Sequence, residues 1–292
     1  MREASSNGTY VQSINTVIDY IEKNIQKKLS LEQLAGIAGF SKYHFHRIFS
    51  AYMGETLNSF VMRLRAEKVA KIICCYPHKS FTEIAYECGF SDSSAFTKAF
   101  KRRFNLTPNE WVKQSDVPIF NSSRASDLLD FSVKDIFVSA SLEYLPSFTL
   151  AYTRYIGRYA GDAKLFTSLF TKLHVWCEKH SIDMSKSKLF CLYHDSIDLT
   201  DEDKLRVSAG VEIKDDVATD EHIGKLKIAR DKYLVAKFKV DETQYGLAWK
   251  YVFAYLLNEF NVKPASSPSF EMYEPCLSKK IEHNVSICVP LQ

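Results

Sequence analysis

The stretch "GFSKYHFHRIF", which begins at Gly39, returns in altered form as "GFSDSSAFTKAF", which begins at Gly89. A segment written twice predicts two copies of one structural unit. At a step of 50, Ser30, Leu34, Ala35, Gly39, Phe40 and Ser41 fall on Ser80, Ile84, Ala85, Gly89, Phe90 and Ser91. One inserted residue moves the step to 51, and Phe45, Arg47 and Phe49 then fall on Phe96, Lys98 and Phe100. Each copy reads as helix, glycine-containing turn, helix. Ala35 and Ala85 let the first helix approach the second, and Gly39 and Gly89 supply the backbone freedom of the turn.

Apolar residues at three- and four-residue steps predict helices throughout residues 9–114. Val11, Ile14, Val17, Ile18, Ile21 and Ile25 mark the first. Ser30 is a plausible N-cap, Ser41 caps the helix that ends at Gly54, and a long helix runs from about Leu57 to Cys75 before Pro77. Ser80 opens the next helix, Ser91 or Asp92 the one after it, and Pro108 starts a short closing helix with Trp111.

In each second helix the apolar residues claim one face. The opposite face carries Tyr43, His46, Arg47 and Ser50 in the first copy, and Ser93, Ser94, Thr97, Lys98 and Lys101 in the second. These side chains suit base edges and phosphates. Arg47 fits guanine, while Lys101, Arg102 and Arg103 fit the DNA backbone. Charge agrees: residues 1–115 carry 16 Lys and Arg against 10 Asp and Glu, and residues 116–292 carry 22 against 25. A basic first third points to a polyanion partner for that part.

This segment resembles the AraC/XylS family of bacterial transcription regulators, in the branch of Rob and MarA. The resemblance runs through "LSLEQLAGIAGFSKYHFHRIFSAYMGETLNSFVMRLR" and "FTEIAYECGFSDSSAFTKAFKRRFNLTPNEW". It implies two recognition helices that enter successive major-groove segments of double-stranded DNA, about 34 Å apart. It also implies base-reading roles for Tyr43, His46, Arg47, Ser93, Ser94, Thr97 and Lys98. Tyr43 stands where the branch often has Trp, and Ser93-Ser94 replace longer amides, so the second helix is expected to grip backbone more than to read bases.

The Ser- and Asp-rich residues 115–135 read as a linker between a domain at 8–114 and one at 136–292. Beyond the linker the period becomes two, which predicts seven strands, the fifth spanning "KIARDKYLVAKFKV". Two helices interrupt them, "AKLFTSLFTKLHVWCEKH" and "YGLAWKYVFAYLLNEFN". A second, fainter duplication shows. Phe148 and Ala151 map onto Tyr233 and Ala236, and Phe190, Cys191 and Tyr193 map onto Phe270, Glu271 and Tyr273. The fold class expected is therefore an all-α double helix-turn-helix domain followed by a duplicated α+β antiparallel-sheet domain, both helices on one face.

The second part resembles the GyrI-like effector-binding family, on "RYIGRYAGD", "SFEMYEP" and "VSICVPL". The resemblance implies a small-molecule sensor with a groove between its halves, taking amphipathic or cationic aromatic compounds, or a protein-interaction module. Alternation puts Glu271 and Tyr273 on one side of their strand and Phe270 and Met272 on the other. With the apolar pair against the helices, Glu271, Tyr273, Cys191 and Tyr193 face the groove. A carboxylate beside aromatic rings holds an organic cation by charge and cation–π attraction. Trp176, Trp249 and Tyr155 are candidate walls, core packing being the other reading of both tryptophans.

Catalysis and cofactors find little support. His44 and His46 lie about 200° apart on a helix and diverge, so no metal is expected there. Pro275-Cys276 is followed by Leu277 and Ser278, unlike the Pro-Cys-His-Arg nucleophile of repair enzymes joined to such domains. Seven dispersed cysteines with no C-x-x-C spacing fit a reducing cytoplasm, and no apolar run suits a membrane span. The expectation is a cytoplasmic, non-enzymatic regulator with DNA, a small-molecule effector and RNA polymerase as partners. Two alternatives stand: a constitutive DNA binder whose second domain docks a protein, and a weak hydrolase using Glu271 with Tyr193 or Tyr273.

Overall fold

A computed structural model describes residues 2–76, 78–113, 132–220, 222–275 and 283–292. The chain divides into two compact units, Met1–Phe120 and Asn121–Gln292. Most of the expected linker, and Cys276, Leu277 and Ser278, lie outside the described residues.

The first unit is helical: α1 (Arg2–Lys23), α2 (Leu31–Ala38), α3 (Lys42–Met53), α4 (Leu57–Cys75), α5 (Phe81–Glu87), α6 (Ser93–Phe104) and α7 (Pro108–Lys113). Local chemistry sets the boundaries. Ser30, Ser41 and Thr56 each accept a backbone N–H of the first turn they open. Ser80 and Glu83 cap α5 reciprocally. Of the two candidates before α6, Asp92 is the cap, accepting from Ala95 N at 2.7 Å, and Ser91 supports its carboxylate. The core is Ile14, Val17, Ile18, Ile21, Leu34, Phe45, Phe49, Phe60, Phe96 and Phe100, all buried.

The two turns have diverged. Gly39 and Gly89 both hold positive φ, +73° and +89°. Around Gly39 a Cβ would meet nothing, whereas at Gly89 it would fall 2.6 Å from the Ile25 carbonyl and 2.9 Å from Arg65 Nη2. That guanidinium donates to the carbonyls of Ile25 and Lys27, at 3.0 and 2.7 Å, and so fastens α4 to the segment after α1. The second turn is thus packed against α4 and the segment after α1.

The second unit opens with α8 (Ser132–Ile136), whose Val133 and Ile136 are buried, so regular structure starts inside the expected linker. Among the described residues it has eight antiparallel strands, β1 (Phe137–Leu145), β2 (Phe148–Ile156), β3 (Leu189–Tyr193), β4 (Arg206–Ile213), β5 (Gly224–Ile228), β6 (Asp231–Val240), β7 (Ser269–Tyr273) and β8 (His283–Pro290). The expected fifth strand is two, β5 and β6, because the chain turns at Ala229-Arg230. The helices are α9 (Ala163–Lys179) and α10 (Tyr245–Tyr251), which continues through a π-helical turn, Val252–Leu256, into α11 (Leu257–Glu259).

The sheet order is β1-β6-β8-β7-β3-β4-β2-β5. Two-residue links join β1 to β2 and β5 to β6, although each pair stands far apart in that order. Links so short require the sheet to curl. Its inner face closes on a core drawn only from strands: Leu150, Tyr152, Phe190, Leu192, Leu226, Tyr233, Val235, Phe270, Met272 and Cys288. Gly210 stands between Tyr152 and Phe190 in the register, and Phe148 stacks on Phe190, centroids 4.9 Å apart. The helices lie on the other face, α9 over β2 and β4 and α10 over β6.

Candidate functional site

Helices α3 and α6 each bury one face. Tyr43, His46 and Arg47 are exposed on α3, Tyr43 at 81%. His44 turns instead toward Tyr10 and Phe40, ring centroids 5.6 and 5.2 Å away, so the two histidines diverge. On α6, Ser93, Ser94, Thr97, Lys98, Lys101 and Arg102 are exposed. Thr97 Oγ1 donates to the Ser93 carbonyl at 2.8 Å, and Arg102 Nη2 to Ser59 Oγ at 3.0 Å.

Two residues depart from the expected outer face. The Ser50 hydroxyl is buried, with no hydrogen-bond partner among the described residues, although the residue as a whole is half-buried. Arg103 is an ion-pair partner rather than a free phosphate ligand: its Nε donates to Glu67 at 2.9 Å.

The second unit gathers a different set of residues. Cys191 and Glu271 are equivalent positions of the two halves, and they face each other directly across β3 and β7. The pseudo-two-fold axis of the domain therefore passes between them. Tyr193 and Tyr273, also equivalent, both donate to Glu271 Oε2 at 2.8 Å, and Trp249 Nε1 of α10 donates to Oε1 at 2.7 Å. Glu271 is 2% exposed. Among the described residues no Lys, Arg or His forms an ion pair with it.

The orientation corrects the expected one. Phe270 and Met272 point into the strand-only core, and Glu271 with Tyr273 faces the helical side, where Trp249 meets it. The curl of the sheet explains this, since it gives the apolar pair a core that a flat sheet would lack.

Burial raises the Glu271 carboxyl above its ordinary 4.5, and the hydrogen bonds from Trp249, Tyr273 and Tyr193 pull it partly back. Burial first, then the neighbouring carboxylate, hold the Tyr193 and Tyr273 phenols well above the usual tyrosine range, so both remain donors. The Cys191 thiol is raised by the same two causes and stays protonated. Three neutral donors thus surround one carboxylate out of water.

Aromatic walls complete the centre. Tyr193 meets the Trp249 ring edge-on at 5.2 Å and the Tyr159 ring at 5.6 Å, and Phe253 stacks with Trp249 at 5.9 Å. Tyr155 shares the Tyr193 face two strands away and packs with Tyr159, Leu205 and Val207. Trp176 is elsewhere, buried with Leu169, Leu173, Ala209 and Val211, so it belongs to the α9 core. Sequence reasoning missed Tyr159, Phe253 and Tyr245, whose hydroxyl hydrogen-bonds with Tyr273 and lies 2.9 Å from His283 Nδ1. Tyr245, Trp249 and Phe253 recur at four-residue steps, a signal that was available.

Comparison with known proteins identifies both parts of the chain. Residues 34–114 match the Helix-turn-helix domain profile, and residues 140–292 match that of the GyrI-like small molecule binding domain. Fold and site thus define an AraC-type helix-turn-helix domain followed by a small-molecule-binding domain. The chain belongs to the GyrI-like small molecule binding domain family. It is 33% identical to the "Probable transcriptional regulator LumQ" of Photobacterium leiognathi over 35% of this chain and 41% of that one. It is 31% identical to the "Probable transcription factor PqrA" of Proteus vulgaris, over 36% of this chain and 87% of that one. The structure of the EcmrR C-terminal domain is 16% identical, with a TM-score of 0.41, covering 53% of this chain and 97% of that one. The chain thus spans less than half the length of LumQ, and of YbfP from Bacillus subtilis, where the matched share is 44%. Among the described residues no helix is long and apolar enough to cross a membrane, and no three His, Cys, Asp or Glu side chains are grouped to hold a metal.

Proposed function

We propose that this protein is a transcription regulator that grips double-stranded DNA with α3 and α6 and answers to an organic cation bound at Glu271. The observation that carries the second half is the carboxylate itself. Burying a charge among neutral donors costs free energy unless a counter-charge arrives. An organic cation supplies it if Tyr193, Tyr159 and Trp249, which touch one another in this structure, part to admit it, and the ring faces so exposed add cation–π attraction. The first half rests on Tyr43, His46, Arg47, Ser93, Ser94, Thr97, Lys98, Lys101 and Arg102, outward groups on two helices of a basic unit. RNA polymerase is the protein partner such a regulator would engage. A ligand regulates only through different affinities for two states of the protein.

Calorimetric titration of a cationic aromatic dye and a neutral dye of the same shape tests the sensor. The parent should bind the cation more tightly, and Glu271→Gln should remove that preference while leaving the neutral dye unchanged. Equal affinities in parent and variant would dismiss Glu271 as the cation site.

A further inference from the structure

We propose that β1 is an interaction edge, pairing antiparallel with β1 of a second copy of this chain. Among the described residues β1 pairs only with β6, so the backbone groups along its outer edge are left for another strand. Sheet edges invite pairing unless they are short or carry charges, especially lysine, or proline. The two edge strands of this domain are equivalent, each preceding one half of the duplication, yet they differ in that respect. β5 has five residues and presents Lys225 and Lys227. β1 has nine, "FVSASLEYL", with no Lys, Arg or Pro. It leaves Val138, Leu142 and Tyr144 exposed at 55%, 38% and 65%.

The strand's sequence selects a copy of itself as occupant. A bulge between Phe137 and Ser139 limits regular pairing to residues 139–145. Antiparallel self-pairing about Leu142 sets Leu142 opposite its own copy, Ala140 opposite Tyr144, Ser141 opposite Glu143 and Ser139 opposite Leu145. Ala140, Leu142 and Tyr144 share one face, so small meets large beside a leucine pair. Glu143, the only charge, meets a serine; within one chain Ser141 Oγ already donates to Glu143 at 2.6 Å. The same operation on β5 about Leu226 would set Lys225 against Lys227 of the other copy, a like-charge contact. Lys227 is ion-paired with Asp215 and Lys225 is held by the carbonyls of Asp215 and Val217, so β5 is the short edge with its lysines committed, and β1 is the long edge open to its own copy. An interface of one strand pair is small, which implies a dimer that forms and dissociates with concentration.

Sedimentation of the full chain over a concentration series tests this. The weight-average mass of the parent should rise from monomer toward dimer. Leu142→Lys, which places two ammonium groups at the axis, should stay monomeric at every concentration with an unchanged circular dichroism spectrum. Lys172→Ala, at an exposed position of α9, should dimerise like the parent. As a second measure, Leu142→Cys should give a covalent dimer under mild oxidation that the parent, with its own thiols, does not. A parent that is monomeric throughout would overturn the proposal. So would Leu142→Lys associating as the parent does, which would mean that copies meet through another surface.

Discussion

Arg103, in the last turn of α6, donates its Nε to Glu67 in the middle of α4 at 2.9 Å. The other oxygen of Glu67 takes Arg63 Nη1 at 3.3 Å, and Arg63 Nη2 reaches Glu55, in the turn after α3, at 2.6 Å. One buried chain of charges thus spans both repeated motifs.

Breaking a buried ion network by removing one member leaves its partners desolvated. Glu67→Ala should destabilise the first unit by about 3 kcal/mol. Urea unfolding followed by circular dichroism should show the loss in that unit's transition, with the transition of the second unit unmoved.

The two equivalent glycines should respond unequally. Gly39→Ala carries only the left-handed backbone penalty, about 1 kcal/mol. Gly89→Ala adds a collision with the Ile25 carbonyl and the Arg65 guanidinium, and should cost at least about 2 kcal/mol. Thermal unfolding of both variants compares them directly, and equal losses would mean the second turn yields freely.

At Glu271 the raised carboxyl fixes the sign of two pH effects. The unfolded state ionises first, near 4.5, so this group's favourable share of stability is present below that pH and is lost as pH rises through the folded value. Cation affinity moves oppositely, rising across that same interval as the carboxylate forms. Dye titrations from pH 4 upward should show the step in the parent and a flat profile in Glu271→Gln.

Trp249→Phe keeps the aromatic wall but removes one of three donors to the carboxylate. Glu271 should then titrate still higher, and the step in dye affinity should move to higher pH. An unmoved step would mean the indole N–H does not act on the carboxylate in solution.

Against DNA, Arg47→Ala should weaken a selected site by about 1–3 kcal/mol and relax its sequence preference. Lys101→Ala should weaken all sequences alike and lower the salt slope by about 1. Filter binding across a salt series separates the two.

Sequence alone determined much of the local framework. Ser30, Ser41, Ser80 and the repeated Gly-Phe-Ser set helix starts and turns through groups a few residues apart, and alternation placed Glu271 with Tyr273 because successive side chains of any extended strand point to opposite faces. The pairing of Phe190, Cys191 and Tyr193 with Phe270, Glu271 and Tyr273 was visible as an echo for the same reason. Only the tertiary structure decided which face was inward, since the curl that buries Phe270 and Met272 depends on two short links joining strands remote in sheet order. It also buried the Ser50 hydroxyl, paired Arg103 with Glu67 and set Trp176 in the α9 core rather than beside Glu271, because burial and ion pairing depend on neighbours far along the chain. Tyr159 and Trp249 converge on Glu271 from separate elements, and that convergence is a property of packing.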